Sequence, residues 1–290
     1  MDLEGGVAVA ELTFGARLRH VMDLRGPLCV GIDPHGQLLN HWGLDNDVVG
    51  LERFSRTVVE ALADRVAVLK PQSAFFERLG SRGIAVLEKV IAETRNAGAL
   101  VLLDAKRGDI GSTVQAYAHA YLDPASPLAV DAVTANPYLG FGSLRPMIDT
   151  AAAHHRGVFV LALTSNLEGV TVQHARNPDG RTVAQTVLDE VAVINRNVRP
   201  IGSVGVVVGA TTGSSGHDLS SVNGPLLAPG LGAQGANPAD LRTIFGGVLH
   251  QVLPSYSREI LKHGPSLTGL RDAAVKAERA CRISLGYPIS

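Results

Sequence analysis

The sequence predicts an α/β protein built as one (β/α)8 (TIM) barrel, and three observations carry that expectation. Eight short apolar runs recur along the 290 residues. Amphipathic segments with helical spacing lie between them. Polar residues stand at the ends of the runs, and a barrel gathers its strand ends on one face.

The first run, 28–33, reads "LCVGID" and ends on Asp33. The second, 66–70, is "VAVLK" and ends on Lys70. The third, 99–104, is "ALVLLD" and ends on Asp104. The fourth, "AVDAVTA" at 129–135, is followed by Asn136, and the fifth, "VFVLALT" at 158–164, closes on Thr164. The sixth is "VGVVVGA" at 204–210, and the seventh, "LLAPG" at 226–230, carries Pro229. "HQVLPS" at 250–255 completes the set. Most are continuous rather than alternating, as parallel strands covered on both faces require. The segments 51–65, 83–98 and 182–198 read as helices; in the second, Ile84, Leu87, Ile91 and, less cleanly, Val90 share one face. Eight alternations in about 250 residues favour a closed barrel over an open doubly wound sheet. No linker or low-complexity tract divides the chain. Residues 1–290 are therefore expected to form a single domain, with roughly the first 20 as a helical or extended lead-in. The polar stretch 211–224 is expected to be a loop or a short helix.

Composition removes several classes of function. A hydrophobic content of 46% supports a large core. The formal charge is −1 with signs interspersed, so no bulk field draws the chain to nucleic acid or to a membrane. Aromatic residues make up 4%, which also argues against a nucleic-acid binder. No apolar run is long enough to cross a bilayer, and the acidic start lacks the basic head of a secretory signal. Cys29 and Cys281 lie far apart and are expected as buried thiols in a reducing cytoplasm. There are 10 His but no H-E-x-x-H or C-x-x-C spacing, and His154 and His155 beside Arg156 read as solvated surface. No metal site is expected.

The stretch "LLDAKRGDIGST" at 102–113 breaks the pattern: Asp104, Lys106 and Asp109 arrive within six positions, where a buried strand ends. Asp104 and Lys106 are two apart and face the same side of a strand. The plain reading is an Asp104–Lys106 salt bridge, with Asp109 capping the next helix. Electrostatics offers a sharper one. A lysine held between carboxylates keeps its proton, so it is a placed proton donor rather than a Schiff-base nucleophile. A substrate carboxylate forced beside those acids is repelled by a raw Coulomb energy of about 4 kcal/mol, at about 4 Å and an effective dielectric of about 20. Loss of neutral CO2 relieves the repulsion, and the lysine protonates the carbanion left behind.

"DAKRGDIGST" resembles the D-x-K-x-x-D-I signature of the orotidine 5′-phosphate decarboxylase family. The longer "LDAKRGDIGSTVQAYAHAYL" is similar to its mycobacterial-type bacterial branch, and the likeness runs from "GIDP" at 31 to "SREIL" at 257–261. The resemblance implies conversion of orotidine 5′-monophosphate to uridine 5′-monophosphate (UMP) and CO2 in UMP biosynthesis, without cofactor or metal. It implies a charged array of Lys70, Asp104, Lys106 and Asp109, with Asp33 and Lys70 at the ribose hydroxyls. It also implies a homodimer in which Asp109 and Thr113 reach the neighbouring active site. In "LTSN" at 163–166, Ser165 is the hydroxyl chosen for the pyrimidine edge.

"APGLGAQGANP" at 228–238 contains G-x-G-x-x-G at Gly230, Gly232 and Gly235. A dinucleotide site would want an acid about 20 positions on, after a second strand, and "GGVLHQVLPSYS" has none. The unit is seventh in the series, where barrels place phosphate, and backbone N–H groups there can cradle one. By resemblance Gln234 contacts the phosphate and Pro229 lies near the base. Arg258 can grip phosphate oxygens as a bidentate fork. Other members carry this Arg directly after the strand; here "SYS" comes first, in the S-R-x-I form of the branch. Binding energy from the phosphate can hold the substrate carboxylate against the acids. The loop 178–181 and the stretch 211–224 are the two candidates to close over the ligand.

Three other readings compete. A metal-dependent sugar-phosphate decarboxylase or synthase of the same superfamily would recruit acids such as Glu77 or Asp131. A Schiff-base aldolase would use Lys70 or Lys106. A non-catalytic nucleotide-binding barrel would gain nothing from two extra carboxylates beside its lysines.

Overall fold

The computed structural model describes residues 12–210, 216–233 and 235–288. Its strands are β1 (Cys29–Ile32), β2 (Val68–Pro71), β3 (Leu100–Arg107) and β4 (Ala132–Ala135). They continue with β5 (Gly157–Leu163), β6 (Val204–Val208), β7 (Leu226–Pro229) and β8 (Val252–Tyr256). Each pairs in parallel with the next, and β8 closes on β1, so the sheet is a (β/α)8 barrel. Each of the eight apolar runs supplies one strand. The largest difference is at β3, which continues past Asp104 to Arg107 and so carries Lys106 within the strand.

Apolar side chains fill two zones, as a closed two-layer architecture requires. One lies between strands and outer helices. The helix Val48–Leu62 starts on Asp47, whose Oδ1 accepts from Gly50 N at 2.8 Å, and buries Leu51, Phe54, Val58 and Leu62. The helix Gly80–Asn96 buries Val86, Leu87, Val90 and Ile91. Ile84, expected on that face, is half-buried. The helix Val183–Asn195 starts on Thr182, which accepts from Gln185 N at 3.0 Å. Residues 216–224 form turns without a helix, and 211–215 lie outside the described residues.

The second zone is the barrel interior, where Val68, Leu102, Phe159, Val207 and Leu253 meet Phe14, Leu18 and Met22. Of the expected lead-in, residues 1–11 lie outside the described residues; the remainder enters a helix, Phe14–Arg25, that plugs the N-terminal end of the barrel. Phe14 meets Phe159 edge-on with ring centroids 6.0 Å apart. Gly157 opens β5 without a side chain because a Cβ there would sit 2.3 Å from the Phe14 ring. At the same end Asp131 accepts from Arg17 at 2.8 Å, Arg156 at 2.9 Å and Val101 N at 3.0 Å. Two arginines and a strand amide satisfy its carboxylate, which precedes β4 and so stands away from the strand C-terminal ends.

Cys29 and Cys281 are free and buried. Burial pushes both thiols up to about 12, so they pack as small apolar groups. Among the described residues no helix is long and apolar enough to cross a membrane.

Candidate active site

The strand C-terminal ends surround a cavity of about 280 Å3. Asp33, Lys70, Asp104, Lys106, Ser165, Pro229, Gly230 and Arg258 all line it, although they span more than 200 positions of sequence. Barrel closure brings them together.

The charged core of the site rests on an irregularity of β3. Its pairing with β4 shifts between Leu103 and Arg107, a bulge that re-aims the strand end. Within it Lys106 takes φ +50°, a left-handed conformation that is uncommon for a non-glycine residue and costs about 1–3 kcal/mol. Neighbours hold it there. Lys106 N donates to Thr134 Oγ1 at 2.9 Å, and Asn136 N donates to Arg107 O at 2.8 Å. The Arg107 guanidinium is anchored on Glu77 and on Ala105 O.

Asp104 is the hub. Its Oδ2 accepts from Lys70 Nζ at 2.8 Å, and its Oδ1 accepts from Lys106 Nζ at 2.5 Å and from Thr134 Oγ1 at 2.9 Å. Burial pushes the Asp104 carboxyl up, but the Lys70 and Lys106 ammonium groups outweigh it and hold the acid well below the usual carboxylate range. Burial likewise pulls Lys70 down, and Asp104 with Asp33 outweighs it, leaving Lys70 above the ordinary lysine value. Asp104 is therefore ionised and Lys70 protonated throughout the neutral range. Lys70 and Asp104 are buried, at 6% and 8% exposure, whereas the Lys106 side chain is 44% exposed. Of the two ammonium groups only that of Lys106 combines a seat beside the acid with access to the open cavity and to solvent.

The other expected residues divide. Asp33 lines the cavity, and its Oδ1 is buried without a hydrogen-bond partner among the described residues. Such an orphaned acceptor calls for a ligand donor or water. Gly230 takes φ +108° and Gly232 φ +74°, closing a turn in which Gly232 N donates to Ala236 O at 2.9 Å. A Cβ on Gly232 would come within 2.7 Å of the Glu259 side chain, so the loop packs tightly on the segment after β8. Arg258 shares the cavity wall with this loop and makes no ion pair among the described residues. Gly235 belongs to the same turn but does not line the cavity, and Gln234 lies outside the described residues.

Asp109 and Thr113 do not join the cavity of their own chain. Asp109 is half-buried and accepts from the adjacent Ile110 N at 2.8 Å. It does not cap the helix Gly111–Leu122, which begins after Ile110 with no side-chain cap. Thr113 is exposed in the first turn of that helix. The plain reading of the motif thus holds for the Asp104–Lys106 ion pair and fails for the cap.

Gln72, Thr134, Tyr256 and Ser257 line the cavity without having been singled out in the sequence. Thr134 hides because threonine suits a strand as well as valine does. A lone hydroxyl at the end of an apolar run was the available signal. Its oxygen accepts from the amide of Lys106 and donates to the acid that binds the Lys106 ammonium, so one side chain sets both ends of the lysine. Thr134→Val keeps the shape and leaves the Lys106 amide and one Asp104 lone pair unmet. Turnover is expected to fall about tenfold and stability by about 1–3 kcal/mol. Steady-state kinetics and urea unfolding check this; unchanged kcat removes Thr134 from the positioning of the array.

The two acids available to a metal-dependent reading are already engaged. Glu77 is bonded to Ser73 and Arg107, and Asp131 is held by Arg17 and Arg156. Neither lines the cavity.

Comparison with known proteins agrees with this geometry. Residues 26–271 match the family model described as Orotidine 5′-phosphate decarboxylase / HUMPS family. An orotidine 5′-phosphate decarboxylase of Salinispora tropica is 67% identical over 273 residues, covering 94% of this chain and 98% of that protein. One from Streptomyces coelicolor is 64% identical over 262 residues, 90% of this chain and 94% of its own. A crystal structure assigned as this enzyme from Streptomyces avermitilis superposes with a TM-score of 0.93 at 58% identity, covering 99% of both chains. The Leishmania donovani OMP decarboxylase structure gives a TM-score of 0.77 at 29% identity, with 95% of this chain and 100% of that one covered.

Proposed function

The chain belongs to the orotidine 5′-phosphate decarboxylase family, and we propose that it converts orotidine 5′-monophosphate to UMP and CO2 with Lys106 as the proton donor. The observation that carries the mechanism is the Lys70–Asp104–Lys106 array, with the Lys106 ammonium 2.5 Å from Asp104 at the open side of the cavity.

The substrate carboxylate lodges beside Asp104, where like charge raises the energy of the bound state. The bond from the ring carbon to the carboxylate breaks, CO2 departs, and the electron pair stays on the ring carbon. Lys106 Nζ–H transfers its proton to that carbon and regains one from solvent. Lys70 stays charged beneath Asp104 and keeps the acid ionised. At the far wall the Gly230 turn and Arg258 hold the phosphate, with Gln234 assigned to the same group. Asp33 and Lys70 take the ribose hydroxyls, while Ser165 and Pro229 meet the base. Phosphate binding so far from the reacting carbon helps to hold the carboxylate against Asp104. Incubation with orotidine 5′-monophosphate in the presence of a chelator is expected to yield UMP. No product, or product only after metal is added, overturns this function.

We further propose that two copies assemble mouth to mouth. Asp109 and Thr113 sit on the rim beside exposed Ile110, Tyr138 and Leu139. The loops after β3 and β4 adjoin, since a Cβ on Gly108 would lie 2.2 Å from Asn136 O. Pairing two such rims buries these apolar side chains and carries Asp109 to the neighbouring Lys106. Inactive Lys106→Ala and inactive Asp109→Ala chains, mixed and allowed to exchange, should then recover activity in about one site in four. Subunit exchange without recovered activity overturns the shared site. Two buried free thiols fit the reducing cytoplasm in which we place the enzyme.

A further inference from the structure

We propose that Ser257 is a substrate-binding residue whose hydroxyl, with Asp33, clamps one ribose hydroxyl of the nucleotide. The inference rests on the functional reading above and adds a contact to it. Ser257 stands between β8 and the short helix Arg258–Leu261, at the position where a serine ordinarily folds its oxygen onto the helix amides. Here it makes no such bond. The amides of Ile260 and Leu261 donate instead to Ser257 O, at 2.9 and 3.0 Å. The Ser257 hydroxyl oxygen is buried without a partner among the described residues, and the residue lines the catalytic cavity.

A second orphan lies beside it. Asp33 Oδ1 is also buried and unpartnered. The two side chains meet over Gly31, where an added Cβ would be 3.0 Å from Asp33 Oδ2 and 3.1 Å from the Ser257 Cβ. The wall at one corner of the cavity thus holds a buried carboxylate oxygen, which only accepts, and a buried hydroxyl, which can donate and turns about a single side-chain bond. A phosphate would satisfy the hydroxyl and repel the carboxylate. A ligand hydroxyl satisfies both, donating to Asp33 while accepting from Ser257. In a nucleotide that group is on the ribose.

The test measures UMP binding to the intact enzyme by titration, with 2′-deoxy- and 3′-deoxy-UMP as partners in a double-mutant cycle. Ser257→Ala should weaken UMP binding about five- to tenfold, the size of one neutral hydrogen bond. For one of the two deoxy ligands the loss seen with wild type should shrink in Ser257→Ala by the same factor, because the contact is already gone. Ser257→Thr, which keeps the hydroxyl, should restore binding, and Ser257→Gly should repeat the alanine result if the alanine variant does not fold. Additive losses for both deoxy ligands overturn the clamp. So does unchanged UMP affinity. Wild-type turnover together with either result rejects Ser257 alone, whereas a wild-type chain that neither decarboxylates nor binds UMP rejects the function itself.

Discussion

Lys106→Ala is expected to lower kcat by about 10⁴-fold or more while UMP still binds. A positioned general acid contributes about 10²–10⁴-fold, and here the same group also supplies the positive charge nearest the developing carbanion. The substitution removes both. It leaves the site otherwise intact, because Asp104 keeps Lys70 at 2.8 Å and Thr134 at 2.9 Å. The Lys106 side chain is 44% exposed, so the loss of its ion pair should cost about 1 kcal/mol of stability or less. Product affinity should stay within a few-fold, since UMP has no carboxylate to set against Asp104. Single-turnover decarboxylation and a UMP titration separate the two effects. Turnover within about tenfold of wild type means that another group delivers the proton. A parallel collapse of UMP binding means that Lys106 holds substrate rather than reacting with it.

Asp104→Asn should damage both activity and folding. The wild-type carboxylate is shared by two ammonium groups, at 2.8 and 2.5 Å. Replacing it with a neutral amide leaves Lys70 buried as a charge without its main partner, a loss of about 3–5 kcal/mol. The pH dependence identifies the cause. In wild type Asp104 titrates lower in the folded chain than in the unfolded one. Its contribution is full above about pH 4 and is lost as pH falls through the folded value. Lys70 titrates higher in the folded chain, so its contribution is full below about pH 10 and is lost as pH rises through the folded value. Stability from the pair is therefore flat across the neutral range.

In Asp104→Asn the sign for Lys70 reverses. Burial then prevails over the remaining pull of Asp33, and Lys70 titrates below its unfolded value. The unfolded chain binds the extra proton, so the penalty from Lys70 in the variant shrinks as pH rises from neutral toward about 10. Urea midpoints of both proteins at two pH values test this: the buried thiols lower stability toward alkaline pH in both, so the expected result is that the variant's deficit relative to wild type shrinks at the alkaline value. A variant as stable as wild type near neutrality shows that the Lys70–Asp104 pair does not hold the barrel mouth together.

Much of this was legible from residues alone. Most strands announce themselves as continuous apolar runs, and the charges at positions 33, 70 and 104 mark where runs stop. Those are local properties, and local patterning survives whatever the rest of the chain does. Ser257, the second serine of "SYS", was visible too, but nothing in its neighbours said that its hydroxyl would be left without a partner.

The sequence by itself determined the number of strands, their order, and the charge types at their ends, because apolar periodicity and residue chemistry need no knowledge of distant partners. Tertiary structure alone decided the bulge that turns Lys106 to φ +50°, the two hydrogen bonds through which Thr134 fixes that lysine, and the exclusion of Asp109 from its own cavity. It alone decided that Phe14–Arg25 plugs the barrel floor. Each of these depends on how β3 registers against β4 or on how eight strands close into a ring. Register and closure are settled by contacts between segments remote in sequence, and no stretch of residues read singly contains them.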